Sequence, residues 1–449
     1  MSHYKRYPAY KDSGVEWIGP VAEHWEIKRL EHVVSTHREN VAPDSLNPVN
    51  VLHFSIPAVQ EIGGARVEAG STIDSNKLIV RCPQVLISKL NPRKGTVIIA
   101  DRDAELLTVA STEFVPLVPQ HGRSVIPFIA ALAVSEPLRQ LLESRVESVT
   151  RSHQRVAPED ILKASVAIPP VDEQSAIAAA LDCETARIDA LIAKKTRFIE
   201  LLKEKRQALI THVVTKGLDP NVKMKHSGVE WIGEVPEHWV MIALGKLAVS
   251  RCDGPFGSGL KSEHYRTEGV RVIRLQNIGW ASFKDRDSAF IGHDHWTDVL
   301  GRGHDVLPGD LLVAGLGDER NPLGRSCVAP SGLGDALVKA DCYRFRIDSK
   351  KALPEFLALS LSATARGECG FMATGATRDR LNLSLAASRI VALPPVDVQA
   401  NIVEAIAQGT NRIDALSRKT ELSIDLLKER RSAFITAAVT GQIDLREAA

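Results

Sequence analysis

The sequence has no excess charge of either sign, because 56 lysines and arginines are balanced by 55 aspartates and glutamates among its 449 residues. This balance excludes a histone-like mode of binding nucleic acid, so a site for a polyanion has to come from local basic patches. The six cysteines form no CxxC pair. Such spacing is typical of free thiols in a reducing cytoplasm rather than of a disulfide or zinc framework.

Long apolar segments are also missing. The longest, VIPFIAALAV at residues 125–134, is about half of the ~20 residues that a membrane-spanning helix needs. The polar start MSHYKRYPAYKD is not typical of a signal peptide. These features predict a cytoplasmic protein with room for about two to four globular domains.

The most informative feature is an internal duplication. The heptapeptide SGVEWIG occupies residues 13–19 and 227–233, and in both places His-Trp follows at the same spacing. A longer repeat aligns residues 166–219 with 391–444, where 28 of 54 positions are identical. The two segments between these repeats share little that can be aligned by eye. A constant frame around different contents indicates one repeated task, such as docking two copies of a partner, combined with two different acts of recognition.

Each long repeat predicts one long helix. It opens with Pro-Pro and then an acidic residue, Asp172 or Asp397, which is typical of a helix start. No glycine or proline follows up to Lys216 in the first copy, and only Gly409 interrupts the second, where we expect a bend or a weak point. Some 43 residues at ~1.5 Å each give a rod of roughly 65 Å.

Apolar residues at spacings of three and four along both helices favour an antiparallel coiled coil between them. Two alternatives remain: the helices are ordinary members of a bundle, or part of their apolar stripe meets another protein.

The two unlike segments, residues 26–165 and 240–390, each have the length of one domain. In both, short β-rich runs precede a later helical run, which is the pattern of a mixed α/β domain. The predicted fold class is α+β, with two mixed α/β domains separated by two long antiparallel helices that form a coiled coil, in a pseudo-twofold internal repeat. The predicted divisions are a first domain at 1–165, a first helix at 166–217, a second domain at 218–390 and a second helix at 391–449.

Polar and basic side chains gather at turns of both domains. Arginine, lysine, asparagine and glutamine form bidentate contacts with base edges or neutralise phosphates, and a turn can enter a groove of DNA. Taken singly, each cluster is more often a solvated turn, and that interpretation stays open. The candidate DNA-binding residues are Lys89, Asn91, Arg93, Lys94, Arg151, Ser152, His153, Gln154, Arg155, Lys261, Arg274, Gln276, Asn277, Arg378 and Arg380.

Two motifs point weakly to other chemistry. DGPFGSGLKS at 253–262 looks like a phosphate loop, but Leu260 separates the last glycine from Lys261, whereas a Walker A lysine follows the glycine directly. His-Asp-His at 293–295 with His-Asp at 304–305 favours a surface loop over a metal site, since adjacent strand residues point to opposite faces. No spacing requires a Ser-His-Asp triad or a carboxylate pair. We therefore expect no catalytic residue, no metal site and no cofactor bound by this chain.

The repeated frame resembles the specificity subunit of type I restriction-modification systems. The residues that carry the resemblance are SGVEWIG with the following His-Trp, the entries IPPVDEQ and LPPVDVQ, and the exits LLKEKRQALITHVVTKG and LLKERRSAFITAAVTG. Together they cover essentially the whole chain. The second copy departs from the first at Val398, which stands where the first copy has Glu173, and at Gly409.

The resemblance implies that each domain is a target-recognition domain that reads one half of an asymmetric, bipartite DNA sequence, while the helices set the distance between the halves. It also implies a near-circular, pseudo-twofold molecule. The implied partners are double-stranded DNA, two modification subunits that methylate adenine with S-adenosylmethionine, and two restriction subunits that use ATP and magnesium. The chain itself is then not an enzyme.

Two other hypotheses stay open. One is an enzyme with its own nucleotide or nuclease site near Lys261. The other is a coiled-coil scaffold protein that binds no DNA, which would show no salt-sensitive affinity for a duplex.

Overall fold

The chain forms two compact units. Unit 1 comprises Met1–Thr196 and Glu421–Ala449, and unit 2 comprises Arg197–Thr420. Each unit therefore contains one of the unlike segments and part of each long helix. The computed structural model describes residues 4–47, 49–146, 154–256, 259–372 and 380–446, with the backbone alone at 302 and 369–372.

The elements of unit 1 are mostly short, and they precede one long helix. The strands are β1 (Tyr10–Asp12), β2 (Pro20–Ala22), β3 (Glu26–Arg29), β4 (Val34–Ser35), β5 (Asn40–Val41), β6 (Asn50–Phe54), β7 (Arg66–Ala69), β8 (Lys77–Ile79), β9 (Gln84–Ser88), β10 (Val97–Ala100), β11 (Leu107–Ser111), β12 (Phe114–Pro119) and β13 (Ser165–Ile168). The helices are α1 (Pro43–Leu46), α2 (Ile56–Ile62), α3 (Ile126–Val134), α4 (Glu136–Ser144), α5 (Pro158–Leu162) and the start of α6 (Val171–Lys216).

Two sheets form the centre of unit 1. The first is antiparallel, with the order β10–β9–β12–β4. The second has the order β5–β8–β11–β6–β7, in which β6 and β11 are parallel and the other neighbours are antiparallel. The hairpin β1–β2 and the pair β3–β13 complete the unit. Because β3 and β13 pair, the start of the unlike segment lies beside its end, and α6 begins next to the frame residues.

Unit 2 is built in the same way. Its strands are β14 (Met224–His226), β15 (Glu234–Pro236), β16 (Val240–Ala243), β17 (Ala248–Cys252), β18 (Tyr265–Arg266), β19 (Val270–Ile273), β20 (Phe290–Ile291), β21 (Leu311–Ala314), β22 (Ser326–Val328), β23 (Ala336–Val338), β24 (Cys342–Ile347) and β25 (Ile390–Leu393). Its helices are α7 (Pro354–Met372), α8 (Leu383–Ser388) and the start of α9 (Val396–Val439).

The sheets of unit 2 repeat those of unit 1. An antiparallel sheet has the order β17–β24–β21–β22, and a second sheet has the order β18–β20–β19–β23 around the parallel pair β19 and β23. The hairpin β14–β15 and the closing pair β16–β25 are also present. The two unlike segments thus share a topology, although their outer strands on the second sheet differ. Buried strands require apolar, β-favouring residues rather than particular ones, so a shared fold leaves little alignable sequence.

Each unit has its own apolar core. In unit 1, Trp25 and Phe128 are fully buried together with Phe434 and Val439 from the end of α9. In unit 2, the corresponding core includes Trp239. Burial of one such side chain contributes about 1.5–3 kcal/mol. The core of each unit therefore stabilises the packing of the long-helix segments that contribute to it.

The long helices are confirmed, and their segments are antiparallel within each unit. In unit 1 the first turns of α6 share a core with the last turns of α9, and Arg431 Nε lies 2.9 Å from Asp189 Oδ1. In unit 2, Arg206 Nε lies 3.2 Å from Asp414 Oδ1. α9 continues through Gly409, where an added Cβ would lie 2.8 Å from Leu209 Cδ2. Gly409 therefore does not end α9, and it permits a close approach of the two helical segments.

The cysteines whose side chains are described, residues 82, 183, 252, 327 and 342, are free thiols, as predicted. Burial raises the pKa of Cys327 to about 12, so this thiol stays protonated at neutral pH. Within the described ranges, no helix is both long and apolar enough to cross a membrane.

Candidate nucleic-acid interface

In unit 1 the structure brings together two candidate clusters that lie apart in the sequence. The turn at 89–94 follows β9, and its residue Leu90 forms an antiparallel bridge with Arg155. The N–H of Asn91 donates to the carbonyl of Gln154 over 2.7 Å. The candidates from both clusters therefore lie side by side at one end of the antiparallel sheet.

This turn presents cations to solvent. Asn91 (φ 49°) and Gly95 (φ 56°) adopt the left-handed conformation on either side of a single 3-10 turn, Pro92–Lys94. Arg93 and Lys94 are exposed on it, whereas Pro92 is buried. A buried proline between two fixed backbone kinks holds the two cations at the tip.

The neighbouring Arg155 is exposed and paired. Its Nε and Nη2 lie 3.0 and 3.1 Å from the carboxylate oxygens of Glu113, and this hydrogen bonding raises the pKa of Arg155. Exposed pairs of this kind contribute about 0–1 kcal/mol, so a phosphate can replace the carboxylate at small cost. Lys94 Nζ donates to Gln60 Oε1 over 3.1 Å. The candidates Arg151, Ser152 and His153 lie outside the described residues.

Unit 2 contains the same arrangement. The turn after β21 carries Leu316, which bridges Arg380, and the N–H of Leu381 donates to the carbonyl of Gly315 over 2.9 Å. Arg155 and Arg380 are related by the offset of the long repeat. The duplication therefore extends to the position of these two arginines in the fold. Arg378 lies outside the described residues.

Arg380 is held by an acidic and an aromatic neighbour. Its Nη2 lies 2.8 Å from Asp341 Oδ1, and this pairing raises the pKa of Arg380. Its guanidinium carbon lies 5.8 Å from the ring centroid of Phe256, which is 53% exposed. A cation and an aromatic face are thus available together at this end of unit 2.

The candidates in the turn after β19 have a structural role instead. Asn277 is completely buried. Its Oδ1 accepts from the N–H of Arg274 over 2.9 Å, and its Nδ2 donates to the carbonyls of Lys284 and Arg286, each over 3.0 Å. The expectation that Asn277 presents its amide to DNA is therefore corrected, because the amide already holds the 284–287 loop.

The two neighbours of Asn277 contact the same loop. Arg274 donates to the carbonyl of Asp287, and Gln276 Nε2 lies 3.4 Å from Asp287 Oδ2. Gln276 remains exposed. Neither residue lies in the turn after β21, beside which Arg380 is placed.

Lys261 is exposed and lies 3.8 Å, through Nζ, from Glu263 Oε1. The glycine-rich loop before it serves packing: a Cβ at Gly254 would lie 2.1 Å from the carbonyl carbon of Lys339. Residues 257 and 258 of this loop lie outside the described residues. Packing against the backbone of Lys339 therefore explains why residue 254 is glycine.

The candidate metal cluster is used in other ways. His295 Nε2 lies 2.9 Å from the carbonyl of Gly259, and His304 Nδ1 lies 2.5 Å from the carbonyl of Asp253. The described ranges contain no group of three or more histidine, cysteine, aspartate or glutamate side chains placed to hold a metal ion.

Sequence reasoning missed one loop of unit 2. Residues 317–324 follow Leu316 and occupy the place that the 91–95 turn occupies after Leu90. They include exposed Glu319 and Arg320. One sequence feature indicates that the two turns are equivalent: Asn-Pro occurs at 91–92 and at 321–322, each time shortly after a buried strand. The second Asn-Pro is preceded by extra residues, so the equivalence of the two turns is not obvious from the sequence.

The tryptophan of each His-Trp motif packs on the C-terminal end of a long helix, which links the two repeated parts of the sequence. α6 ends before Gly217 (φ 78°) and α9 ends before Gly441 (φ 72°), both left-handed as in many helix C-termini. A Cβ at Gly217 would lie 3.3 Å from the ring of Trp239, and one at Gly441 would lie 3.2 Å from the ring of Trp25. The His-Trp motif of each unit therefore packs on the end of a long helix.

A buried glutamine fixes the start of each long helix. Gln174 Oε1 accepts from the N–H of Val125 over 3.0 Å, and Gln399 Oε1 accepts from the N–H of Leu353 over 2.8 Å. Both side chains are completely buried. These glutamines, present in IPPVDEQ and LPPVDVQ, tie each helix to the loop before the helical run of its own unlike segment.

Glu173 gives unit 1 a polar junction that unit 2 lacks at the equivalent Val398. Its carboxylate accepts from the hydroxyl of Tyr7 (2.5 Å) and from Trp25 Nε1 (3.1 Å), and it lies 2.7 Å from His24 Nε2. Val398 instead packs against the apolar core of unit 2. The two helix starts are therefore anchored by different chemistry.

Comparisons with known proteins agree with the repeated frame. The chain is 23% identical over 325 residues to the StySPI type I restriction enzyme specificity subunit of Salmonella potsdam, covering 70% of the chain and 65% of that relative. It is 22% identical over 450 residues to a Methanocaldococcus jannaschii protein named as a type I restriction enzyme MjaX specificity subunit, covering 96% of each. The EcoKI specificity subunit of Escherichia coli K12 is 23% identical over 320 residues, again with 65% of its length matched. The chain thus matches slightly less than two thirds of the Salmonella and Escherichia coli relatives.

Solved structures show the same fold. A chain from work on complex assembly and conformational transition of the type I R-M system superimposes with a TM-score of 0.72 at 18% identity, covering 94% of this chain and 99% of that one. The HsdS subunit of Thermoanaerobacter tengcongensis gives a TM-score of 0.52 at 17% identity, covering 94% and 98%. No protein-family model matches the chain. The resemblance predicted from the repeated frame is confirmed: in sequence and in fold, this chain is similar to the specificity subunits of type I restriction enzymes.

Proposed function

We propose that the chain is the DNA-specificity subunit of a type I restriction-modification complex and that each unit reads one half of an asymmetric, bipartite sequence. One observation carries this proposal. The turns after β9 and β21 are equivalent in topology and lie beside the equivalent residues Arg155 and Arg380, yet they expose different side chains. Equivalent placement with different chemistry is what two different half-sites require.

The duplicated frame supports docking of two identical partners. Its tryptophan, its helix-end glycine and its helix-start glutamine recur with the same roles in both units. Two equivalent surfaces accept two copies of one partner. We assign them to two modification subunits, with two restriction subunits completing the complex.

The chemistry is assigned to those partners. The modification subunits use S-adenosylmethionine to methylate adenine, the restriction subunits use ATP and magnesium, and this chain binds none of these cofactors and contributes no catalytic group. An enzyme site at Lys261 is not favoured, because Leu260 separates this lysine from the glycine that it follows directly in a Walker A loop. A scaffold without a DNA role is also not favoured, since it gives no reason for two different exposed turns on one topology.

The test exchanges residues 26–165 for the corresponding segment of a related specificity subunit, in a host that also expresses the modification partner. Methylome sequencing should then report a motif with one changed half, one unchanged half and the same gap. An unchanged motif with the partner still bound would mean that the segment does not read DNA. Loss of the partner would place the docking surface within the exchanged segment and contradict its assignment to the frame.

A further inference from the structure

The loop at 317–324 of unit 2 is braced from within. Asp318 Oδ1 accepts from the N–H of Arg320 over 2.8 Å and from the N–H of Asn321 over 2.7 Å, and Asn321 Nδ2 lies 3.1 Å from the same oxygen. Hydrogen bonding, first from the Asn321 N–H, lowers the pKa of Asp318. The carboxylate therefore stays ionised and is occupied in fixing the backbone of the tip.

The base of the loop is anchored in the core. Arg325 is 5% exposed and donates to the carbonyls of Ile278 (2.7 Å) and Leu316 (3.0 Å). A Cβ at Gly317 would lie 2.3 Å from the backbone nitrogen of Leu323, so the two sides of the loop are in close contact. A loop fixed at its base and braced at its tip presents its outer side chains in one arrangement.

Glu319 and Arg320 are those outer side chains. Both are exposed, and neither side chain forms a hydrogen bond or ion pair with another residue in the described part of the chain. The backbone carbonyl of Glu319 accepts from Arg366 Nη2 over 3.4 Å, which holds the tip without using its side chain. A carboxylate and a guanidinium thus project next to each other beside the bridge between Leu316 and Arg380.

Glu319 is unexpected at this position if the tip only neutralises phosphates, because like charges repel. In the major groove a carboxylate finds hydrogen-bond donors only at the amino groups of cytosine and adenine, and glutamate pairs with cytosine N4. Arginine forms a bidentate contact with O6 and N7 of guanine. Adjacent side chains of these two types fit adjacent cytosine and guanine edges.

We propose that Glu319 and Arg320 are specificity-determining residues of unit 2 and that they contact cytosine and guanine in its half-site. This assignment rests on the proposed function of the chain. The equivalent turn of unit 1 exposes Arg93 and Lys94 and no carboxylate at its tip. Pairing of a carboxylate with a base amino group is therefore expected at the tip of unit 2 and not at the tip of unit 1.

The first experiment expresses the chain with its modification partner in a host and sequences the methylome of that host. The second measures binding of the same complex to DNA. The probes are duplexes with the wild-type motif and its single-position substitutions. Arg320→Ala should lose discrimination at one guanine by about fivefold to 150-fold. Glu319→Gln should move the preference at one position from cytosine towards adenine, because glutamine pairs with adenine N6 and N7. The half-site of unit 1 should stay unchanged in both variants, which also shows that they fold and assemble.

Lys350→Ala is the matched control, since Lys350 is an exposed cation of the same unit away from this loop. It should leave every motif position unchanged. A motif that is unaltered in both Arg320→Ala and Glu319→Gln would overturn the assignment while leaving the proposed function intact. Equal weakening on all probes would also overturn it, because that pattern marks a phosphate contact. A wild-type complex that methylates no bipartite motif would instead reject the proposed function.

Discussion

At the scale of single residues, Arg389 and Glu368 form an ion pair that is completely buried within unit 2. Arg389 Nε lies 2.8 Å from Glu368 Oε2, and the same guanidinium donates to the carbonyls of Gly324 (2.5 Å) and Leu361 (2.7 Å). Removing one partner leaves a charge in an apolar surrounding, which costs about 3–5 kcal/mol. This pair joins the loop at 317–324 to α7, so its loss affects the part of unit 2 that we assign to reading.

We therefore predict that Arg389→Ala lowers the free energy of unfolding of unit 2 by about 3–5 kcal/mol, measured by hydrogen exchange in α7. Lys223→Ala is the control within the same unit, because its ion pair with Glu237 is exposed on both sides and its removal should change the free energy of unit 2 by less than about 0.5 kcal/mol. Equal effects of the two substitutions would show that the buried pair is not a stability determinant.

The surroundings of Asp253 indicate how the stability of unit 2 depends on pH. Burial raises its pKa to about 6, compared with about 3.9 in an unfolded chain. Between these values the folded state binds a proton that the unfolded state has released, so the stability of unit 2 falls as pH rises from about 4 to 6. The carboxylate accepts from the N–H groups of Gly254 (2.7 Å) and Asp341 (3.0 Å), which an asparagine oxygen can also do.

Asp253→Asn should therefore make the melting temperature of unit 2 less dependent on pH. The melting temperature of the variant should rise relative to that of the wild type as pH increases from 4 to 7. Thermal unfolding at several pH values measures this difference. Asp298→Asn, at an exposed position, should show no such trend. Parallel pH profiles for wild type and Asp253→Asn would contradict this account.

Sequence predicts the exposure of residues in a local turn well and is less informative where a distant partner decides, while the DNA contacts themselves stay predictions. The exposed cations Arg93 and Lys94 follow from turn chemistry alone. Asn277 was predicted to contact DNA, but a polar side chain in a turn can equally bond to nearby backbone, and only the fold of the 284–287 loop decides which. Glu319 and Arg320, which we propose to contact bases, do not stand out in the sequence, because the equivalence of their loop to the first turn becomes visible only when β9 and β21 are recognised as the same strand.

At the scale of elements, the start of α6 is the junction that distinguishes the two copies. Glu173 is 6% exposed and accepts hydrogen bonds from residues that precede it by about 150 positions. Burial and the adjacent carboxylate raise the pKa of Tyr7, which keeps its hydroxyl a donor. The sequence marks Glu173 only as a departure between copies, since nothing local indicates that Tyr7 and Trp25 meet it.

We predict that Glu173→Gln destabilises unit 1 by about 1–3 kcal/mol, because an amide cannot accept as many hydrogen bonds as the carboxylate and these donors are buried. Denaturant unfolding of unit 1 measures this loss. Asp182→Asn, at an exposed position of the same helix within unit 1, is the control and should have an effect within about 0.5 kcal/mol. Equal stability of Glu173→Gln and wild type would show that the hydrogen bonds of Glu173 do not stabilise unit 1.

The long helices were the elements most open to prediction. Their length follows from 40 or more residues without proline, and their antiparallel pairing follows from matching apolar stripes in one chain. The strand order within each unit was not predictable, because it depends on pairings between distant segments such as β6 with β11. Sequence gives the class of these domains, while long-range pairing sets their topology.

At the scale of the whole molecule, the duplication separates the residues that both halves need from those that we propose to read DNA in each half. The residues kept in both copies are those that seat a tryptophan on a helix end and tie a helix start to its unit. The residues that differ include the exposed tips after β9 and β21. A chain organised in this way can change one half of its target without changing its frame.

The proposed function implies that the long helices set the gap between the two half-sites. The most direct measurement is the methylome of a host that expresses the chain with its modification partner, before and after removal of one heptad from the middle of both α6 and α9. One heptad spans about 10 Å, so we expect the same two half-sites with a gap shorter by about 3 base pairs. An unchanged gap with both halves still methylated would contradict it.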